Sequence, residues 1–362
     1  MAVPLRRRIG SLLFGSLPGH TVPAELAALA REFDLGGVTL FARNVESPEQ
    51  VLDLAIGVEA LGIEAPAWVA VDQEGGRVAR LKTPFTVWPP AATLGRTPDT
   101  ALTERFARAL AAELRAVGVT LDFAPVLDVL TNRANPAIGD RALSDDAARV
   151  GELGATIVRT LQTGGVAACG KHFPGHGDTA VDSHLDLPLV EHGLDRLTRL
   201  EFAPFRAAIA AEVACLMTAH VLVPALDDTR PATLSPAIVP ILKRDLGHQG
   251  LVLSDDLEML AVAARWTPPE SAVMAVVAGC DGALVCSGNI DVQAATLEAL
   301  VKAVETGVIS HARLDDATRR IARQKARFLA DRPPARERLR RWRQVVGCEE
   351  HQLVAAEMAT FA

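Results

Sequence analysis

Eight short apolar segments, separated by longer stretches of helical periodicity, constrain the fold of this 362-residue chain more than any other feature. Most are continuously apolar, which is typical of strands that are covered on both faces. The segments are Gly10–Gly15, Gly37–Phe41, Trp68–Asp72, Val119–Phe123, Val166–Gly170, Ala214–Ala219, Leu251–Asp255 and Ala283–Cys286. Between them lie amphipathic helical candidates, namely Ala24–Phe33, Pro48–Leu61, Thr100–Val117, Asp145–Thr163, Asp195–Ala211, Pro236–Leu246 and Ser271–Ala278.

This alternation predicts an α/β protein, specifically a (β/α)8 barrel of the TIM type. An open, doubly wound sheet is the alternative that the same pattern allows. The length suits one barrel, so we assign residues 1–330 to a single catalytic domain. Residues 331–362 are interpreted as a basic helical extension. The basic helical tail of the chain begins near Ala317, and Pro333-Pro334 breaks it into two helices. We expect this extension to pack on the barrel, although a basic tail can also bind polyanions.

Composition narrows the class of protein. A formal net charge of −7 argues against a nucleic-acid or anionic-membrane partner. The 49% hydrophobic and 22% charged residues are typical of a soluble globular protein. The five cysteines form no closely spaced metal-binding pair and four lie in apolar surroundings, which predicts reduced thiols and a cytoplasmic location.

The N-terminal segment has a faint likeness to a signal peptide, because three arginines at 6–8 precede an apolar run. That run is short and interrupted by Gly and Pro, so we interpret it as the first strand. No window of the sequence approaches the ~18 uninterrupted apolar residues of a membrane-spanning helix.

Charged or titratable residues follow five successive apolar segments at the point where each ends. They are Asp72, then Asp122, then Lys171 and His172, then His220, and finally Asp255 with Asp256. In a barrel the C-terminal ends of the strands surround the active site. We therefore predict one polar pocket and an enzyme.

The segment Lys171–Pro188 carries three histidines and three aspartates among glycines and prolines. Pro174, Gly175 and Gly177 exclude a regular helix, so the segment is predicted to be a functional loop. The sequence lacks a Gly-x-Ser-x-Gly elbow and a Walker-type loop. Sugar hydrolysis fits best, because it needs a carboxylate at an oxocarbenium-like centre and a proton donor for the leaving oxygen.

A metal site is the alternative interpretation of the same loop. The candidate ligands are His172, His176, Asp178, Asp182 and His184. A histidine pair spaced i, i+4 requires a helix, which the proline and glycines prevent, and the first strand has no His-x-His pair. We therefore expect no metal.

Lys171–His184 and Leu253–Met259 resemble the two signatures of glycoside hydrolase family 3. The similarity is greatest to the bacterial β-N-acetylglucosaminidases that act in peptidoglycan recycling, and supporting segments follow in order from about Ile9 to Arg327. The resemblance implies a retaining exo-enzyme that removes terminal N-acetylglucosamine from peptidoglycan fragments. It implies a carbohydrate partner, no cofactor, and a monomer or weak dimer.

The resemblance also implies roles for individual residues. Asp255 matches the nucleophile, although periodicity alone does not separate it from Asp256. His184 matches the acid/base residue, with Asp182 as its dyad partner. The positions that match the sugar-binding subsite are Asp72, Arg80, Arg141, Lys171 and His172.

Other roles remain open for several of these residues. The arginines can form a salt-bridge scaffold, and His172 can be a buried structural histidine. His176 is predicted to shape the loop, and His220 is left undecided. Two further functions stay open at this point: a related glycosidase or phosphorylase with another sugar specificity, and a non-catalytic sugar-binding sensor.

Overall fold

The structure, a computed structural model, describes residues 3–330 and 335–362. The strands are β1 (Leu13–Gly15), β2 (Gly37–Leu40), β3 (Trp68–Val71), β4 (Gln73–Gly75), β5 (Val78–Ala79), β6 (Leu121–Asp122), β7 (Ala167–Phe173), β8 (Cys215–Thr218), β9 (Leu251–Asp256) and β10 (Gly282–Leu284). Eight of them close into a parallel barrel in the order β1-β10-β9-β8-β7-β6-β3-β2, and β4 pairs with β5 in an antiparallel hairpin. The prediction of a (β/α)8 barrel is confirmed, and the open doubly wound sheet is excluded.

Helices surround the barrel. They are α1 (Leu5–Gly10), α2 (Ala24–Phe33), α3 (Pro48–Glu59), α4 (Ala92–Gly95), α5 (Ala101–Ala116), α6 (Ala147–Thr163), α7 (Leu194–Arg199), α8 (Phe202–Ala210), α9 (Leu260–Ala263), α10 (Pro268–Ala278), α11 (Ile290–Glu305), α12 (His311–Leu329), α13 (Ala335–Val345) and α14 (Glu349–Ala359). Short 3₁₀ turns occur at Ala42–Asn44, Gly139–Arg141 and Ala232–Leu234. No helix in the described ranges has the length and apolarity needed to cross a membrane.

Two predicted helices differ from the structure at prolines. The stretch predicted as one helix over Asp195–Ala211 is two helices, α7 and α8. Pro204 lies in the first turn of α8, where its missing N–H and its ring prevent a continuous helix from the preceding turn. In the stretch predicted over Pro236–Leu246, Pro240 precedes a widened π-helical turn at Ile241–Asp245.

The barrel interior explains why the strand segments are continuously apolar. Side chains on both faces of β2 and β3 are buried, the outer ones beneath helices and the inner ones in the barrel core. Phe14 fills the interior between two glycines on neighbouring strands. A Cβ atom on Gly37 would come within 3.0 Å of the Phe14 ring, and one on Gly282 within 2.8 Å. Glycine at these positions therefore leaves the space that the ring occupies.

The C-terminal helices α13 and α14 pack outside the barrel, against α3 and α5. Arg338 is buried and donates two hydrogen bonds to Glu59, at 2.7 and 2.8 Å. The buried carboxylate of Glu113 accepts hydrogen bonds from the Gly347 N–H and contacts His351 Nδ1, both at 2.9 Å. The predicted break at Pro333-Pro334 lies outside the described residues, between the end of α12 and the start of α13.

Candidate active site

A cavity of about 460 Å³ opens at the C-terminal ends of the barrel strands. It is lined by all eight residues to which the sequence analysis gave a site role: Asp72, Arg80, Arg141, Lys171, His172, Asp182, His184 and Asp255. These residues are far apart in the chain and reach the cavity from several strands and loops. The barrel therefore brings together Asp72, Lys171, His172, Asp255 and Asp256 of the strand-end groups that were predicted to share one pocket. The other two, Asp122 and His220, are fully buried and do not line the cavity, and Asp122 accepts the Gln73 N–H at 3.0 Å.

The floor of this cavity is a chain of ion pairs. Lys171 Nζ lies 2.7 Å from an oxygen of Asp72 and 2.6 Å from an oxygen of Glu74. Arg141 donates two hydrogen bonds to Glu74, from Nε at 2.9 Å and from Nη2 at 2.8 Å. Arg80 donates to the second oxygen of Asp72 at 3.1 Å. Because the Lys171 and Glu74 side chains are only 2% and 3% exposed, these groups are held in fixed positions.

Charge pairing keeps this buried floor ionised. Burial opposes ionisation of Asp72, but Lys171 and Arg80 hold the pKa of this carboxyl below its ordinary value. Glu74 is also buried, and Lys171 and Arg141 lower its pKa strongly. Burial by itself favours the neutral amine of Lys171, yet the two carboxylates raise its pKa above the ordinary value. The cavity therefore presents fixed acceptors and donors to a polar ligand at neutral pH.

Glu74 and Asp128 are two positioning residues to which the sequence analysis assigned no role. Asp128 is completely buried, contacts His172 Nδ1 at 2.7 Å and accepts a hydrogen bond from the His176 N–H at 2.7 Å. This contact leaves Nε2 of His172 as the ring nitrogen available to a ligand. Both residues could have been found in the sequence from their positions, because Glu74 follows the end of β3 and Asp128 follows β6 by a few residues.

His176 has the loop-shaping position that the sequence analysis predicted. Its Nδ1 lies 2.6 Å from Thr179 Oγ1, and its Nε2 lies 3.3 Å from Ser183 Oγ. Burial lowers the pKa of His176 to about 4, so the ring is neutral at ordinary pH. Among residues 3–330 and 335–362, no group of three or more His, Cys, Asp or Glu side chains is arranged to hold a metal ion.

Asp255 and Asp256 occupy the end of β9, and their environments differ. An oxygen of Asp255 accepts only the N–H of its neighbour Asp256, at 2.8 Å, within the described chain. Asp256 accepts from the N–H groups of Glu258 at 3.1 Å and Cys286 at 3.2 Å. Burial raises the pKa of Asp256 to about 7, so a large fraction is protonated at neutral pH. Asp255 is therefore the better candidate for an anionic nucleophile.

His184 lies on the loop that follows β7, with its side chain 69% exposed. Its Nδ1 lies 2.8 Å from Asp182 Oδ1, and the same oxygen accepts the His184 backbone N–H at 3.0 Å. Burial opposes ionisation of Asp182, but the hydrogen bonds from His184 hold its pKa below the ordinary value. The imidazole is thus oriented through Nδ1, and Nε2 is left to face a substrate. The loop is tied to α9, because the Ala261 N–H donates to the Ser183 carbonyl at 3.2 Å.

His220, which the sequence analysis left undecided, supports the nucleophile segment from below. It is fully buried, with Nδ1 2.9 Å from Thr233 Oγ1 and Nε2 2.8 Å from the Asp256 carbonyl oxygen. Burial lowers the pKa of His220, which favours the neutral ring. Its contacts indicate a positioning residue rather than a group that touches the ligand.

Phe41 and Arg43 also line the cavity, although the sequence analysis gave them no site role. The guanidinium carbons of Arg43 and Arg80 lie 4.6 and 5.5 Å from the centroid of the Phe41 ring. Arg43 follows the end of β2 by three residues, so the strand-end argument that identified Asp72 would have found it if it had been applied to β2.

Replacing Glu74 with glutamine is expected to lower the free energy of unfolding by about 3 kcal/mol, because it leaves Lys171 and Arg141 buried beside a neutral group. We also expect a higher KM for a sugar substrate, since both donors lose their fixed positions. Urea denaturation and initial-rate kinetics measure the two effects. Glu46→Gln, at an exposed glutamate, is the matched control.

The pH dependence of this effect has a defined sign. The pKa of Glu74 is lower in the folded chain, so its stabilising contribution is complete above the unfolded-state pKa of about 4.3. The contribution is lost as the pH falls toward the folded-state pKa. Equal free energies of unfolding of wild type and Glu74→Gln at pH 7 would contradict the assignment.

Comparison with known proteins relates this architecture to one family of enzymes. Residues 5–324 match the model described as glycosyl hydrolase family 3 N terminal domain. A β-hexosaminidase from Thiobacillus denitrificans is 43% identical over 260 residues, which cover 70% of this chain and 72% of that protein. β-Hexosaminidase A from Pseudoalteromonas piscicida is 33% identical in an alignment 369 positions long, which covers 94% of this chain. The match spans 61% of the length of that second relative.

Solved structures share the fold and much of the sequence. A glycoside hydrolase family 3 β-N-acetylglucosaminidase from Paenibacillus sp. str. FPU-7 aligns with a TM-score of 0.91 at 38% identity, over 99% of this chain and 69% of that one. A β-N-acetylhexosaminidase from Beutenbergia cavernae aligns with a TM-score of 0.83 at 28% identity, over 90% of this chain and 99% of that one.

Proposed function

The chain belongs to glycosyl hydrolase family 3, and from this premise we propose that it is a retaining exo-β-N-acetylglucosaminidase. The observation that carries the proposal is the single cavity that contains the Asp255 carboxylate, the His184–Asp182 pair and the ionised floor. A retaining glycosidase needs a carboxylate nucleophile, an acid/base group and fixed hydrogen-bonding groups for the sugar. In this cavity Asp255, His184 and the ionised floor are the candidates for these three parts.

In the first step, Asp255 attacks the anomeric carbon as the glycosidic C–O bond breaks. The imidazolium of His184 gives a proton to the leaving oxygen through Nε2. Asp182 holds the opposite ring nitrogen and stabilises the charged ring. The products of this step are the free aglycone, neutral His184 and a glycosyl ester of Asp255.

In the second step, neutral His184 accepts a proton from water while the water oxygen attacks the anomeric carbon of the ester. The bond to Asp255 breaks, and the carboxylate and imidazolium are restored. Each step inverts the anomeric carbon, so the released sugar keeps the β configuration. One imidazole therefore serves as acid and then as base.

The ionised floor holds the sugar during both steps. Asp72 is the acceptor for sugar hydroxyls, because its side chain remains partly exposed while Lys171 and Arg80 fix its position. Arg141 and His172 supply oriented donors beside it. The preference for a 2-acetamido sugar is supported by the relatives, which are a β-hexosaminidase and a β-N-acetylglucosaminidase. Peptidoglycan fragments as substrates are proposed from the family resemblance, and a cytoplasmic location from the free cysteines.

The decisive experiment compares hydrolysis of 4-nitrophenyl N-acetyl-β-glucosaminide with hydrolysis of the matching β-glucoside. We expect kcat/KM to favour the acetamido sugar by on the order of 10²-fold or more, as for a site that binds a group the competitor lacks. Proton NMR of the first-formed product is expected to show the β anomer. Equal rates on both sugars would exclude the specificity, and an α product would exclude the double displacement.

Phosphorolysis is the second candidate reaction, and two features of the site support it. The acid/base group is an imidazole rather than a carboxylate, and the Arg43 guanidinium lines the cavity, so an incoming phosphate meets less negative charge. The same assay with and without inorganic phosphate separates the two reactions. Formation of the sugar 1-phosphate at the expense of free sugar would identify a phosphorylase, whereas phosphate-independent turnover identifies a hydrolase. Binding of the sugar without turnover would identify a sensor.

A further inference from the structure

A second cavity, of about 480 Å³, lies at the opposite end of the barrel from the candidate active site. It is bounded by α1, by the segments that precede β2 and β3, and by α12, which passes beneath the strand N-termini. The Phe328 ring at the end of α12 lies 6.2 Å from the ring of Trp68, the first residue of β3. The proposed hydrolysis uses no residue of this cavity.

Lys325 of α12 is the unusual residue in this cavity. It lines the cavity and is only 6% exposed. Its ammonium makes no hydrogen bond and no ion pair within the described residues. The carboxylate of Asp34 acts on it through space, but the Asp34 oxygens accept the N–H groups of Ile63, at 2.5 Å, and Glu64, at 3.3 Å. A buried charged group without a partner is costly and therefore uncommon.

The other cationic side chains around the cavity are already paired with carboxylates. Its lining has four cationic side chains against three carboxylates: Arg7, Arg8, Arg319 and Lys325 against Asp34, Glu64 and Asp315. Glu64 and Asp315 pair with Arg7 and Arg8, but both of these carboxylates are more than half exposed and face solvent. Arg319 is 72% exposed and pairs with Asp316 at 3.0 Å, so Lys325 is the cationic group of this lining that has no ion pair within the described residues.

The uncharged part of the lining is mostly apolar, with Ser11 and Thr318 as its polar residues. Ile321 and Ala322 of α12 and Ala65 before β3 line the cavity beside the lysine. Cavities of roughly 300–1,000 Å³ with mostly apolar walls and a few polar groups are typical small-molecule sites. An inorganic ion would leave these apolar walls uncovered, whereas an amphipathic molecule would contact both the lysine and the apolar walls.

We propose that this cavity binds a small organic anion, with a carboxylate or phosphate monoester on Lys325 and an apolar chain against Ile321 and Ala322. The anion supplies the partner that the ammonium lacks, in a desolvated place where charge-assisted hydrogen bonds are strong. Burial lowers the pKa of Lys325 to about 8, so the amine is still largely charged at neutral pH and available to an anion.

Isothermal titration calorimetry of the full-length protein with octanoate and with octyl phosphate tests the proposal and distinguishes the two headgroups. We expect one of these anions to bind with 1:1 stoichiometry, and octylammonium, acetate and inorganic phosphate to give no measurable binding. Lys325→Met is expected to weaken binding at least 10-fold and to leave glycosidase activity unchanged. Lys302→Met, at an exposed lysine of α11, is the matched control and is expected to bind like wild type.

Amine labelling gives a second measurement that does not depend on a variant. At pH 8 the unpaired amine of Lys325 is expected to react with an acylating reagent, as followed by mass spectrometry, and the anion that binds is expected to slow this reaction at least 5-fold. Equal binding by wild type and Lys325→Met would overturn the proposal. So would absence of binding by both anions, unprotected labelling of Lys325, or competitive inhibition of glycosidase activity by the bound anion. If the wild-type protein does not hydrolyse the glycoside, the proposed function is contradicted, but the proposal of an anion site is not.

Discussion

Replacement of Asp255 with alanine is expected to lower kcat/KM for an N-acetyl-β-glucosaminide by on the order of 10⁴-fold or more, since the covalent intermediate cannot form. The neighbouring Asp256 is a poor substitute, because burial raises its pKa to about 7 and a large fraction is protonated at neutral pH. The other carboxylates of the lining are held by partners: Asp72 by Lys171 and Arg80, Asp182 by His184, and Glu258 by the Ser287 N–H. Initial rates at substrate concentrations well below KM measure the loss. Added azide is expected to restore turnover of the 4-nitrophenyl substrate and to give the α-glycosyl azide, because the small anion enters the space left by the carboxylate.

Asp256→Asn is the matched control for this prediction. Asparagine copies the protonated acid in size and still accepts hydrogen bonds from the Glu258 and Cys286 N–H groups. We therefore expect Asp256→Asn to lose no more than about 10-fold in kcat/KM. If Asp256→Asn is inactive while Asp255→Ala retains full activity, the nucleophile is Asp256 and the assignment is wrong.

Replacement of His184 with alanine is expected to slow hydrolysis by on the order of 10²–10⁴-fold for an alkyl glycoside, whose leaving oxygen needs a proton. The loss in the first step is expected to be much smaller for the 4-nitrophenyl glycoside, because nitrophenolate leaves without protonation. The second step then becomes limiting, since no base activates water. Stopped-flow absorbance of the 4-nitrophenyl substrate is expected to show a burst of one equivalent of nitrophenolate in the variant.

Asp182→Asn tests the partner of His184 separately. The amide keeps the 2.8 Å contact to Nδ1 in shape but removes the charge that stabilises the imidazolium. We expect a smaller loss than in His184→Ala, with the same dependence on the leaving group. Equal losses on alkyl and nitrophenyl substrates in both variants would show that the loop only binds the sugar.

Strand β7 shows where sequence reasoning was sufficient and where it was not. The apolar pattern predicted a strand that ends at Gly170, and the structure extends it to Phe173. Lys171 and His172 therefore lie on a buried strand rather than on the following loop. Their polarity made them resemble loop residues. In the fold, however, Asp72 and Glu74 pair with the buried ammonium of Lys171, and Asp128 contacts the buried ring of His172. A pattern of single residues does not contain these distant partners.

The sugar-binding floor gives the same lesson for site residues. Arg141 was identified from the family resemblance, with a salt-bridge scaffold as the open alternative. In the structure it forms a two-bond ion pair with Glu74, 67 positions away in the chain. Arg141 lines the cavity, and its role toward a sugar stays a prediction. The sequence did not indicate its partner, because pairing depends on the separation of side chains in space.

Local information in the chain was sufficient for the alternation of eight barrel strands with helices, for the parallel barrel and for the presence of polar groups at the strand ends. These follow from burial pattern and from the position of polar residues relative to each strand, which are properties of short segments. The protonation of Asp256, the partners of Lys171 and His172, and the unpaired Lys325 opposite the active site were decided only by the folded chain. Charge state and pairing depend on burial and on the distances between groups from remote segments, and these quantities exist only once the barrel is closed.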